Sequence, residues 1–202
     1  MAAAQSRPGA PAGAGATRDR ILDAAAAIMH RDGLVRATTK QIAREAGCSE
    51  ALLYKHFPDK RDIFLRVLTQ RSPRLDIAGE LPGTATVPEN LTKLVVALLA
   101  FYEQGFPMAA SIFGSRDLLA AHRAAMNEQG AGPHRPADLV TAYLEAERDL
   151  GRVGREADCD ALARLLTGAA LHEAFLANYA GEEIRDPQAL AERLVAAVNV
   201  DH

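Results

Sequence analysis

The stretch TTKQIAREAGCSEALLYKHFPDK, residues 38–60, restricts the fold more than any other part of the chain, because helix starts and stops alternate along it. Thr38 followed by Gln41 has the spacing of a capping box, and Gly47 is the residue that ends a helix in the left-handed region. Ser49 caps a second helix, which the Phe57-Pro58 step must end, since the residue before proline is pushed out of the α region. Asp59 caps a third helix, carrying Ile63, Phe64, Val67 and Leu68. Two short helices joined by a tight Gly47-Cys48-Ser49 turn match a helix-turn-helix. At about 100° per residue, Leu53 and Phe57 share one side of the second helix, and Glu50, Ala51, Tyr54 and Lys55 share the other. Small Ala51 lets a backbone come close to base edges, while Tyr and Lys around it suit phosphates.

The remaining pattern is helical almost throughout. TRDRILDAAAAIMHRDG places Ile21, Leu22, Ala25, Ile28 and Met29 on one face, with Thr17 as the expected cap and Gly33 as the stop. Residues 1–16, nearly all Ala, Gly and Pro, read as a disordered arm. Residues 72–87 hold prolines and glycines without a period and read as a loop. Five more helices are expected at 88–104, 107–129 with a break near Gly114, 136–152, 157–180 and 187–199. No segment alternates with period two, so the expected class is all-α. The domains follow: an arm at 1–16, a helix-turn-helix module with a fourth helix at 17–72, and a larger helical module at 73–202. Net charge is only −3, but residues 1–72 hold twelve Lys and Arg against seven Asp and Glu, and the rest eleven against nineteen. A basic module that meets a polyanion, joined to an acidic one with another task, accounts for that division.

Several classes are disfavoured. Cys48 and Cys159 are isolated thiols without metal or disulfide spacing. No uninterrupted apolar run reaches the roughly 18–20 residues of a membrane span, and the start lacks the apolar stretch of a signal peptide. A cytoplasmic protein with no membrane partner is expected. His172-Glu173 lacks the second histidine of a zinc-protease motif, since Leu176 stands there. We therefore expect no catalytic residue, no metal and no cofactor. The alternatives are a helical protein-binding adaptor or an all-helical enzyme that does not bind DNA.

The segment GLVRATTKQIAREAGCSEALLYKHFPDKRDIF, residues 33–64, resembles the tetracycline-repressor (TetR) family of bacterial transcriptional regulators, through Thr-Thr, Ile-Ala, Ala-Gly, Ser, Leu-Tyr, His-Phe and Lys in that order. The resemblance implies a regulator, typically a ligand-responsive repressor, binding a palindromic double-stranded operator as a homodimer. It implies that Thr39, Lys40, Tyr54, His56 and Lys60 hold phosphates and that Glu50, Ala51 and Leu52 occupy base-reading positions. Leu52 would meet a thymine methyl, and Glu50 would accept from a cytosine amino group. Members often carry a basic or neutral residue where Glu50 stands, so its role is open between base reading and pairing with a nearby Lys or Arg.

In the second module the helix at 157–180 has more apolar surface than one buried stripe requires. Leu165, Gly168, Leu171 and Phe175, with Leu190 and Leu194 of the last helix, are candidates for the two-fold interface the resemblance implies. Phe101, Tyr102, Phe106, Met126 and Tyr143, with His172 as a polar anchor beside His122 and Asn178, are candidates for lining a pocket. Such a lining suits a hydrophobic or aromatic small-molecule effector.

Overall fold

In the computed structural model of the chain, residues 12–71, 73, 75 and 78–198 are described. Nine helices and no strand occur among them. The chain divides into two compact units, residues 1–71 and 72–202.

The first unit holds α1 (Ala12–Arg36), α2 (Thr39–Glu45), α3 (Glu50–His56) and α4 (Lys60–Gln70). α1 begins at Ala12, not at Thr17, so residues 12–16 are helical rather than part of an arm. Residues 1–11 of the expected arm lie outside the described residues. Gly33, at φ 75° and ψ 165°, breaks α1 before its last turn, a conformation no side-chain-bearing residue takes without strain.

The caps fall where the sequence places them. Thr38 and Gln41 satisfy each other's backbone N–H groups, Ser49 accepts from the Leu52 N–H, and Asp59 accepts from the Asp62 N–H. α2 ends in a Schellman motif: the Cys48 N–H donates to the Ala43 carbonyl at 2.9 Å, the Gly47 N–H to Arg44 at 3.2 Å, and Gly47 has φ 65°. Ile21, Leu22, Ala25, Ile28 and Met29 of α1 meet Ile42, Leu53, Phe57, Ile63 and Val67, all fully buried. Each such large side chain contributes roughly 1.5–3 kcal/mol. Arg71 joins the end of α4 to α1 through Asp23 at 2.7 Å and Asp19 at 2.9 Å.

The second unit holds α5 (Val87–Phe113), α6 (Arg116–Glu128), α7 (Arg135–Asp149), α8 (Cys159–Ala180) and α9 (Pro187–Ala197), preceded by a 3-10 turn at Ala78–Glu80. α5 is central, packing on α8 and α9, and α7 packs on α8. The core joins Leu91, Leu94, Val95, Leu98 and Leu99 of α5 to Val140, Tyr143 and Leu144 of α7 and Ala163, Leu166 and Ala170 of α8. By length and apolarity alone α5 would also qualify as a membrane span. One stripe of it is buried in the core, and Lys93 and Glu103 interrupt it.

The sequence led us to expect a helix break between residues 104 and 107, yet α5 runs through Pro107 to Phe113 and stops at Gly114. Proline has no N–H for the carbonyl four residues back, which here belongs to Glu103. The Asn178 side-chain amide on α8 supplies the missing donor to the Glu103 carbonyl at 3.3 Å, and also donates to Ala174 at 2.9 Å. The Glu103 carboxylate accepts from the Ile184 N–H at 2.7 Å. Tertiary hydrogen bonding thus replaces the bond that proline removes.

A second polar device sits at the end of α7. Glu147 is fully buried; its Oε1 accepts from the Gly83 N–H at 3.2 Å and its Oε2 pairs with Arg152 Nε at 3.2 Å. Arg152 also donates to the carbonyls of Thr84 and Ala85. The loop before α5 is therefore held to α7 by a neutralised carboxylate.

Candidate nucleic-acid interface

α3 presents two faces, as its periodicity requires. Leu53, and Phe57 at the helix end, are completely buried, while Glu50, Ala51, Tyr54 and Lys55 are exposed and Tyr54 is 49% accessible. A large aromatic exposed to that extent on a seven-residue helix is not part of the core. Leu52 and His56 are half-buried at the edge of the outer face.

Thr39, at the first turn of α2, lies against this face. Its hydroxyl donates to Glu50 Oε1 at 2.9 Å, and the Tyr54 hydroxyl donates to Thr39 Oγ1 at 3.4 Å. Glu50 is therefore partnered by a neutral hydroxyl, and among the described residues it makes no ion pair, with either Lys or Arg. Thr39, Glu50 and Tyr54 are thus in direct contact, which sequence spacing alone did not reveal. Lys40 is exposed beside Thr39. Lys60, at the start of α4, sets its ammonium 4.9 Å from the Phe64 ring centre, an arrangement that fixes a cation on the surface without neutralising it. Arg18 of α1 lies over the Phe57 ring at 5.7 Å and donates to Gln70 at 3.4 Å.

The residues assigned to a pocket are not all brought together. Tyr143 is 1% accessible inside the core, where burial raises the pKa of its hydroxyl, whereas His172 is exposed on α8. Phe101, Tyr102, Phe106 and Met126 are half-buried, Phe101 and Tyr102 meeting edge-on at 5.1 Å. Burial pushes the Tyr102 hydroxyl up to about 12, so it is a neutral donor near neutral pH. Asn178 is committed to α5 and α8 carbonyls rather than free as an anchor. A groove of about 770 Å³ lies elsewhere, between the start of α5 and α9, lined by Pro88, Glu89, Thr92, Gln188, Glu192 and Val195 among others.

On α8 the interface candidates divide. Leu165, Leu171 and Phe175 are 62%, 42% and 45% accessible, and a Cβ on Gly168 would meet nothing within 4 Å. Leu176 and Tyr179, not anticipated, are exposed on the same side, and Phe175 joins Phe106 and Tyr179 in an aromatic cluster. The opposite side, Ala163, Leu166, Ala170 and Ala174, is buried. Leu190 and Leu194 of α9 are half-buried against the core instead.

A three-helix core with two capped helices, a Schellman turn and an outward α3 face defines a helix-turn-helix protein. Residues 21–67 match the family model described as "Bacterial regulatory proteins, tetR family". The matched stretch is the helix-turn-helix unit, so that part of the chain is similar to the family's DNA-binding domain. An uncharacterised HTH-type transcriptional regulator of Mycobacterium tuberculosis is 39% identical over 82 residues, 41% of this chain and 42% of that protein. SrpR, an HTH-type transcriptional regulator of Pseudomonas putida, is 39% identical over 83 residues, 41% of this chain and 38% of that protein. The match thus spans about two fifths of the length of these relatives. Over the whole fold, a TetR-family regulator from Mesorhizobium loti superposes with a TM-score of 0.74 at 22% identity, covering 92% of this chain and 94% of that one.

Proposed function

We propose that the chain is a DNA-binding transcriptional regulator that acts as a dimer and represses from a palindromic operator until a small molecule binds its second unit. The outward face of α3 carries this reading. Glu50, Ala51, Tyr54 and Lys55 are exposed beside Thr39 and Lys40, on a helix whose other face is locked in the core. Thr39, Lys40, Tyr54, His56 and Lys60 hold backbone phosphates, while Glu50, Ala51 and Leu52 face the base edges. Phosphate contacts set register and supply most of the salt-dependent affinity.

The dimer reading is supported by the side of α8 that bears Leu165, Leu171, Phe175, Leu176 and Tyr179, which stays exposed in the single chain. Contiguous apolar surface of this kind marks an interaction site, which a second copy of the chain fills under two-fold symmetry, so that the dimer carries two recognition helices for the two halves of a palindrome. The effector is a hydrophobic or aromatic small molecule, drawn to half-buried Phe101, Tyr102, Phe106 and Met126. Two proteins that share the fold were solved with such molecules: SmeT with triclosan, and FadR of Bacillus subtilis with stearoyl-CoA. Effector and operator oppose each other reciprocally, because each favours a different state of one equilibrium.

The test is salt-dependent binding of the full chain to duplex DNA from immediately upstream of its own coding sequence, against scrambled duplex of equal length. Site-specific retention at physiological salt is expected. Absence of binding to any duplex at low salt overturns the proposal.

A further inference from the structure

We infer that Glu50 sets sequence discrimination by holding, in the DNA-free protein, the two hydroxyls that a phosphate takes in the complex. The inference rests on the DNA-binding reading above. Each hydroxyl has a single hydrogen to donate. That of Thr39 is on Glu50 Oε1 at 2.9 Å, and that of Tyr54 is on Thr39 Oγ1 at 3.4 Å. Both donors are therefore aimed along one chain that ends at an internal carboxylate. A hydroxyl-to-carboxylate bond is charge-assisted and stronger than a neutral one, and successive bonds polarise each other.

Binding a phosphate at Thr39 and Tyr54 requires both hydroxyls to turn away. Glu50 is then a carboxylate without its donor next to the phosphate anion, and no ion pair among the described residues neutralises it. On an arbitrary duplex both penalties stay in the complex. Where a cytosine lies beneath Glu50, its N4 amino group donates to the released carboxylate and restores the lost bond. Glu50 thus acts chiefly against wrong sequences rather than for the right one, which is how discrimination exceeds what favourable contacts alone supply. This places Glu50 in two roles in succession, as an internal mimic of the phosphate and then as a base reader. A glutamate on an anion-binding face, which otherwise only weakens affinity, acquires a physical purpose.

The experiment is a thermodynamic cycle by fluorescence anisotropy on the full chain, with random-sequence duplex and an operator selected from a randomised pool. The proteins are the wild type, Glu50→Gln, Thr39→Val and the double variant, with Glu50→Ala as a second probe of the same position. Removing the charged acceptor is expected to tighten binding to random duplex by about tenfold, the equivalent of one charge-assisted hydrogen bond, and to lower discrimination correspondingly. In the Thr39→Val background the gain is expected to fall within about twofold, because the hydroxyl Glu50 held is gone. An equal gain in both backgrounds overturns the inference and leaves Glu50 as a through-space charge only. Random-duplex affinity unchanged in Glu50→Gln and Glu50→Ala also overturns it. A wild type that binds no duplex at low salt removes the DNA-binding reading itself, a result distinct from either.

Discussion

Replacing Asn178 tests how α5 survives a proline in its interior. The Asn178 amide donates to the Glu103 carbonyl at 3.3 Å and to Ala174 at 2.9 Å, and Pro107 leaves Glu103 without its own helical donor. In Asn178→Leu the Glu103 carbonyl loses its partner, which costs about 1–3 kcal/mol if water does not reach it. Asn178 is only half-buried, so partial hydration places the expected loss nearer the lower end, about 1 kcal/mol. The Ala174 carbonyl is bonded within α8 in any case and contributes little. Urea denaturation of the wild type, Asn178→Leu, Pro107→Ala and the double variant separates this cause from lost packing. The Pro107→Ala change restores an N–H at the fourth residue after Glu103, so in that background Asn178→Leu should cost less than about 0.5 kcal/mol. A coupling of at least ~0.5 kcal/mol is thus expected between residues on different helices, in the range observed for groups that share a hydrogen bond. Equal losses in both backgrounds would refute the reasoning, because the carbonyl of Glu103 would then not depend on Asn178.

Four other outcomes follow from the geometry. Lys60→Ala should weaken binding to every duplex and reduce the salt slope by about 0.9, one phosphate contact; an unchanged slope in a salt titration would exclude a phosphate contact at that site. Leu165→Glu combined with Phe175→Glu, on the exposed side of α8, should yield monomers in sedimentation equilibrium, and an unaltered mass would place the interface elsewhere. Glu147→Ala, which leaves partly accessible Arg152 with only its carbonyl bonds and orphans the Gly83 N–H, should cost about 1–3 kcal/mol in urea denaturation, with Glu147→Gln losing less; equal, small losses would show that the charge is solvated. Burial lowers the pKa of both His30 and His122 below 6.5. The unfolded chain therefore takes up protons first on acidification, and stability present above pH 6.5 should decline as pH falls through that value toward the lower folded pKa values. His30→Gln with His122→Gln should flatten that part of a stability profile, and an unchanged profile would assign the decline to other groups.

What could be read in the sequence, and what could not, separates along the range of the interactions. Thr38, Ser49 and Asp59 act on backbone groups within three residues, so the sequence positions of α2, α3 and α4 are also their physical causes. The two faces of α3 follow from periodicity for the same reason. Thr39 and Glu50 are eleven residues apart on different helices, and no local rule brings a hydroxyl to that carboxylate. The sequence left Glu50 open between base reading and pairing with a Lys or Arg; its partner in the structure, the Thr39 hydroxyl, is set by how α2 and α3 pack. Pro107 shows the converse. Proline's chemistry removes one helical hydrogen bond there, and no local rule could reach Asn178, far along the chain on α8, which supplies the donor. Tyr143 and Phe175 differ for the same reason: both are aromatic residues on amphipathic helices, yet one is buried by α5 and α8 and the other faces outward. Apolar character records that a side chain needs a partner, while only the packing shows whether that partner lies within the chain. Where it does not, as along the outer side of α8, the unfilled requirement is itself the argument for a second copy.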